Sequence, residues 1–299
     1  MESLRTVLEN NGVATESDCP LSRHSTFRIG GNADLAVFPK TPEEMIAAVR
    51  LCRASGVRTV IVGNGSNVLF ADDGFRGAVI FTVRIRGLSE EPNGFRALCG
   101  TSLAVLSAAA VNRALSGVEF ACGIPGSVGG SVCMNAGAHG GEMAGIVTET
   151  VCYDAESDER MTLRGTDHRF GYRTSVFAER PDLILLETHV RLTAGDREEI
   201  RKEMRTNLAR RRATQPLGYP SAGSAFKRPN RQFAAKLIED CGLKGYREGG
   251  AEVSQKHAGF IVNRGGATAR DVLSVMDHVR EVVFRETGIS LDPEIRVIP

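Results

Sequence analysis

The sequence holds no apolar run long enough to cross a membrane, no excess of either charge and no paired spacing among its cysteines. Each absence removes a class of protein. A spanning helix needs about 20 consecutive apolar residues, so no membrane partner is expected. Lys and Arg number 37 against 36 Asp and Glu, a formal charge of +1, and so small a balance gives no basic field to draw in nucleic acid. The seven cysteines, at 19, 52, 99, 122, 133, 152 and 241, are odd in number and include no CxxC. That speaks against a disulfide framework and a zinc site, and for a reducing, cytoplasmic setting. His24, His139, His168, His189 and His278 have no metal-ligand spacing, so no metal is expected. There is no GxGxxG between a strand and a helix and no GxxxxGK[ST], which excludes the dinucleotide fingerprint and the P-loop. Internal repeats and low-complexity tracts are absent too. Met1 to Asn11 mixes charged and apolar residues as an amphipathic helix does, unlike a signal peptide.

What is present describes an ordinary globular chain: 299 residues, 42% hydrophobic and 24% charged, enough for about two domains. The stretch that stands out runs from Gly123 to Gly141, where glycines are interleaved with Ile124, Val128, Val132 and Met134. Main chain without side chains serves where φ is positive or where something approaches closely, and bare N–H groups make anion-binding concavities. A phosphate-bearing cofactor and a flexible surface loop both fit the glycines alone; the interleaved apolar residues favour an ordered, buried loop. Gly63-Asn64-Gly65-Ser66-Asn67 reads either as a second such loop or as a tight turn between strands.

Around these loops the coarse pattern is mixed α and β. Leu35 to Phe38, a helix opened by Thr41-Pro42-Glu43-Glu44 and stopped by Gly56, and Thr59 to Val62 form a βαβ unit. Further strands are expected at 78–83, 95–99, 149–154 and 183–192, with a helix over about 102–115. From Asp196 a charged helix ends in Arg210-Arg211-Arg212, where positive charge complements the helix dipole. A proline- and glycine-containing loop follows over 215–229, then a helix through Leu237, strands near Ala251 and Phe260, a long helix opened by Thr268 and Asp271, and a last strand from Leu291 to Ile298. The change of character places a domain boundary near 195: residues 1–195 in two lobes, about 1–80 and 81–195, then 196–299. Asp72-Asp73 reads as a turn.

Taken in order, Thr26-Phe27-Arg28-Ile29-Gly30-Gly31, Gly63 to Asn67, Gly123 to Gly130, Tyr172-Arg173, Gly223-Ser224-Ala225-Phe226-Lys227 and Pro293-Glu294 resemble the UDP-N-acetylenolpyruvoylglucosamine reductases. These are bacterial flavoenzymes that make UDP-N-acetylmuramate for peptidoglycan, and hence serve cell-wall biogenesis, cell shape and division. The resemblance implies an α+β chain: a two-part FAD-binding region of the vanillyl-alcohol-oxidase (PCMH) type, then a C-terminal α+β substrate domain. It implies FAD as cofactor, NADPH as co-substrate and a UDP-sugar as substrate. Carried over, Gly63, Asn64, Gly65, Ser66, Asn67, Gly123, Ile124, Pro125, Gly126, Ser127, Gly129 and Gly130 would hold FAD, with Cys133, Ala136 and Gly137 close to the flavin. Arg173, Ser224 and Glu294 would be catalytic, and Tyr172, Lys227 and His257 would bind substrate. The short interval between Arg173 and Ser224 is similar to the family type that lacks a tyrosine-bearing clamp loop. Arg228 stands where many members have Asn, and His257 where some have Gln.

The implied reaction passes hydride from NADPH through FAD to the methylene end of the enolpyruvyl ether. Charge then develops on the neighbouring carbon and its carboxylate. A guanidinium such as Arg173 can hold that carboxylate as a fork, a protonated Glu294 can donate to the same charge, and Ser224 can deliver the proton. Two rival readings stay open: a flavin-dependent alcohol oxidase or dehydrogenase of the same fold, and a catalytically idle sugar-nucleotide-binding module.

Overall fold

The computed structural model describes residues 1–229 and 232–299. Compactness divides the chain into two units, one made of 1–16, 35–64 and 77–211, the other of 17–34, 65–76 and 212–299.

In the first unit the βαβ pattern forms as read. Thr41 caps the helix Pro42–Ala54 by accepting from the Glu44 N–H at 3.1 Å, while Glu44 reaches back to the Lys40 N–H at 2.7 Å. Its buried stripe is Met45, Ile46, Val49 and Cys52, the i, i+3, i+4 spacing of an amphipathic helix. The two expected strands are not neighbours. A four-stranded sheet runs in the order Ala14–Pro20, Asn32–Phe38, Phe75–Phe81, Thr59–Val62, with Thr59 to Val62 parallel to Ala78 to Phe81. A second sheet of five antiparallel strands has the order Glu159–Arg164, Val147–Asp154, Leu183–Arg191, Gly94–Leu98, Leu88–Glu91. Against it pack the helix Leu103–Asn112, capped by Ser102, and a one-and-a-half-turn helix, Val128–Cys133, inside the glycine-rich stretch. No hydrophobic period signals that short helix. One apolar core, including Leu35, Ile80, Phe95, Leu106, Val128, Val132 and Leu186, joins these elements.

The second unit has its own core: Phe27, Ile29 and Leu69 pack with Phe226, Ile238, Val253, Ile261, Val272, Val275, Val279 and Val283. The helix Ala269–Thr287 supplies Val272, Val275, Val279 and Val283. It opens with a capping box between Thr268 and Asp271 and closes on Gly288 at φ +70°, as the sequence indicates. Arg247–Glu248, Ala251–Val253 and Ile261–Asn263 form a small antiparallel sheet, and Arg296–Ile298 pairs in parallel with Val68–Phe70. The final strand is therefore shorter than 291–298. The single boundary expected near 195 differs from this division, which falls at 211 and recruits two early segments. The reason is burial: Phe27 and Leu69, both with no exposed surface, find their apolar partners in the C-terminal part of the chain.

Candidate active site

In the first unit the two expected loops meet. The Asn64 side-chain amide donates to the Pro125 carbonyl at 2.8 Å, and Gly63 lies so close to Ser127 that a Cβ there would come within 2.6 Å of its hydroxyl oxygen. Ser127 Oγ in turn accepts from the Gly130 N–H at 3.3 Å. The close approach read from the glycines is in part an approach by the chain itself. A Cβ on Gly129 would stand 2.9 Å from the Cys99 Cβ, and the Gly129 N–H donates to the Cys99 carbonyl at 2.9 Å. The Val128 N–H donates to the Thr101 carbonyl at 2.7 Å. Three of the amides expected to face an anion are thus spent in holding the turn.

The donor set still fits the diphosphate of a dinucleotide. Gly63, Asn64 and Gly123 to Gly130 contain no carboxylate and offer main chain, an amide and a hydroxyl, the neutral groups that suit an anion. Arg211 adds a cation that the sequence assigns to the helix dipole. Its Cδ would be 3.0 Å from a Cβ on Gly123, and burial pulls its guanidinium pKa down. A cavity of about 320 Å³ lined by Ser116, Glu119, Asp196, Glu199 and Glu203 includes none of the expected site residues.

Past the short helix the chain turns through Asn135, which is buried at φ +43°, and the main-chain carbonyls of Cys133 and Gly137 become a docking rail for the 171–175 segment. Ser175 Oγ donates to the Cys133 carbonyl at 2.8 Å. The Asn135 amide donates to the Gly171 carbonyl at 3.0 Å, and the Arg173 guanidinium donates to the Gly137 carbonyl at 3.2 Å. Arg173 also lies 5.4 Å from the ring centre of Tyr172, which is exposed. Cys133, Gly137, Tyr172 and Arg173 are therefore brought together, while the Ala136 main chain bonds instead to Ser131 and Met143. Asn135 and Ser175 were not singled out by sequence reasoning; their signal is that polar side chains inside so apolar a turn must have partners when buried.

The second unit gathers Gly65, Ser66, Asn67, Ser224, Lys227, His257 and Glu294. Gly65 is glycine for a steric reason: at φ +62° a Cβ would sit 2.0 Å from the His24 carbonyl oxygen. Asn67 donates from its side chain to the Glu294 carbonyl at 3.0 Å, and its own carbonyl accepts from the Arg296 N–H at 3.0 Å. Around Ser224 three chain segments cross. Ser224 bridges to Phe260 and Phe226 to Pro293 in antiparallel fashion, the Ala225 N–H donates to the Gly259 carbonyl at 2.8 Å, and the Glu294 N–H donates to the Ala225 carbonyl at 2.9 Å. Lys227 N–H donates to the Asp292 carbonyl at 2.9 Å. Ser224 and Glu294, distant in sequence, are thus one residue apart across a main-chain pair. His257 closes the third side: its Nδ1 accepts from the Gly259 N–H at 3.2 Å, its ring meets Phe260 edge-on, and burial lowers its pKa below 6.5. Ser224, Lys227 and Glu294 are half-buried.

The donor set suits a dinucleotide, and comparison with known proteins places the chain among the flavin-binding oxidoreductases. Residues 33–178 match the FAD binding domain family, and residues 215–298 match the C-terminal domain of UDP-N-acetylenolpyruvoylglucosamine reductase. The chain is similar to the UDP-N-acetylenolpyruvoylglucosamine reductase of Clostridium perfringens, with 44% identity over 94% of this chain and 92% of the relative. For that of Caldicellulosiruptor bescii the identity is 44% over 97% and 93%. It superposes on the crystal structure of UDP-N-acetylenolpyruvylglucosamine reductase from Thermus caldophilus with a TM-score of 0.80 and 33% identity, covering 96% of this chain and 99% of the other. This chain belongs to the UDP-N-acetylenolpyruvoylglucosamine reductase family.

Proposed function

We propose a division of labour among this chain's residues for the reaction of its family. The chain is an FAD-dependent reductase that uses NADPH to reduce the enolpyruvyl ether of UDP-N-acetylglucosamine enolpyruvate to UDP-N-acetylmuramate, a step in peptidoglycan synthesis. Bound FAD supplies the relay that takes hydride from NADPH and passes it to the methylene carbon of the substrate. The protein's task is then set by charge. Hydride arriving at the methylene leaves negative charge on the adjacent carbon and its carboxylate, so groups that meet this charge lower the barrier.

In this reading Gly63 to Asn67 and Gly123 to Gly130 hold the cofactor, with Cys133, Ala136 and Gly137 near its reactive ring. Arg173 forks the substrate carboxylate and keeps its charge throughout. Glu294 in its protonated form donates to the same developing charge. Ser224 delivers the proton that completes reduction at the carbon bearing the ether oxygen. Tyr172, Lys227 and His257 contact the UDP-sugar, Lys227 bringing a cation to its diphosphate. The observation that supports this reading best is the main-chain bond at 2.9 Å between Glu294 and Ala225, which brings Ser224 and Glu294 within one position of each other across a strand pair, both half-buried.

The test is NADPH oxidation by the purified, FAD-loaded protein. Oxidation that depends on the enolpyruvyl sugar nucleotide is expected. Oxygen consumption with an alcohol and without NADPH would favour an oxidase, and failure to take up FAD at all would favour a binding module.

The described residues contain no helix long and apolar enough to span a membrane. The reading assigns the enzyme to the cytoplasm.

A further inference from the structure

The turn that carries Arg173 is held in a shape an L-residue resists. Arg173 has φ +56°, in the left-handed region that crowds Cβ against the carbonyl oxygen. Gly171 and Thr174 close the turn on themselves, N–H to carbonyl at 3.1 and 3.3 Å. Two side chains, each 1% exposed, fix this turn to the 133–137 segment. Asn135 uses both ends of its amide: Nδ2 donates to the Gly171 carbonyl at 3.0 Å, and Oδ1 accepts from the Ala144 N–H at 2.9 Å. Ser175 donates to the Cys133 carbonyl at 2.8 Å from the other side of the turn. The guanidinium itself reaches the same segment, at the Gly137 carbonyl.

We propose that Asn135 and Ser175 are positioning residues for Arg173, their two hydrogen bonds holding the 171–174 turn in the left-handed shape that aims the guanidinium across the 133–137 main chain. The inference rests on the role given to Arg173 above and deepens it. A fork that binds a carboxylate must meet it in plane, and misplacement by about 1 Å costs on the order of 100-fold in rate. A buried amide is well suited to such a joint because it satisfies a donor and an acceptor at once and tolerates positive φ at its own position.

The test uses Asn135→Asp and Ser175→Ala in the FAD-loaded enzyme, each alone and combined with Arg173→Ala. Asn135→Asp keeps an acceptor for the Ala144 N–H but has no proton for the Gly171 carbonyl. Ser175→Ala removes one hydroxyl and serves where the first variant fails to fold. Flavin absorbance in stopped flow separates reduction by NADPH from reoxidation by the enolpyruvyl sugar nucleotide. Reoxidation about 10- to 100-fold slower is expected in each single variant, with reduction by NADPH within about two-fold of the parent. In the Arg173→Ala background the same changes are expected to add less than about two-fold, since nothing is left to aim. In FAD-free protein, amide exchange over 171–176 is expected to rise while the rest of the chain is unchanged. Equal losses in both backgrounds, equal slowing of both half-reactions, or unchanged reoxidation would overturn the positioning role alone. Normal reoxidation in Arg173→Ala by itself would overturn the role of Arg173 and this proposal with it.

Discussion

At the scale of single residues, the proposed chemistry divides into groups that meet charge and a group that moves a proton, and the two kinds should answer mutation differently. Ser224→Ala is expected to leave flavin reduction by NADPH nearly unchanged and to slow reduction of the enolpyruvyl sugar about 10²- to 10⁴-fold, the usual worth of a positioned general acid. Rapid-mixing measurements of the two half-reactions check this, and equal loss in both removes the proton-donor role. Arg173→Lys replaces a fork by a point charge and should cost about 100-fold in kcat/KM. Near-normal turnover would count against the contact. His257 gives a pH signature. Burial lowers its pKa, so the folded state favours the neutral ring, whereas the unfolded chain takes up a proton below about 6.5. Stability should therefore fall as pH drops through that value and level off beneath the folded pKa. Urea midpoints from pH 8 to pH 5 should show this decline, and His257→Gln should flatten it.

At the scale of elements, the long C-terminal helix shows how far local signals reach. Thr268 accepts from the Asp271 N–H at 3.1 Å and Asp271 from the Thr268 N–H at 2.9 Å, a pairing plain in the sequence. What the sequence conceals is Asp72. Read as a turn residue, it accepts from the Ala269 N–H at 2.7 Å and the Arg270 N–H at 3.0 Å, so two helix-start donors are satisfied from nearly 200 positions away. Asp72→Ala and Thr268→Ala should each destabilise by about 1 kcal/mol, read as a shift in urea midpoint without change in slope. A neutral Asp72→Ala would show that water replaces it. The hydrogen bonds at Thr268 and Gly250 hold the Asp271 carboxyl below its usual range. That contribution is present above its unfolded pKa and lost as pH falls through the folded one.

At the scale of the whole chain, the two units have separate cores, and the second one is built from three stretches of sequence. Residues 196–299 expressed alone would lack Phe27, Ile29 and Leu69 from that core, and the Val68–Phe70 partner of the last strand. Losing one buried Phe costs about 3–5 kcal/mol, comparable with the total stability of a domain. The fragment is therefore expected to be unfolded by circular dichroism and amide dispersion; a cooperative thermal transition in it would refute this.

How legible all this was depends on the range of the interactions concerned. The sequence by itself determined what is encoded within a few positions: the Thr41 and Thr268 caps, the stripes of the long helices, the glycine-rich loops, and the ordered set of motifs that carries the family resemblance. Periodicity and capping involve neighbours in the chain, so they can be read without coordinates. Only the tertiary structure decided that Gly65 and Gly129 make room for the chain's own carbonyls and side chains. It likewise decided that Glu294 pairs through its main chain with Ala225, next to Ser224, that Asn135 grips the Arg173 turn, and that Phe27 belongs with the C-terminal valines. In each case the partner is set by burial and by the need to satisfy polar groups away from water, and these act between residues whose separation along the chain has no fixed value.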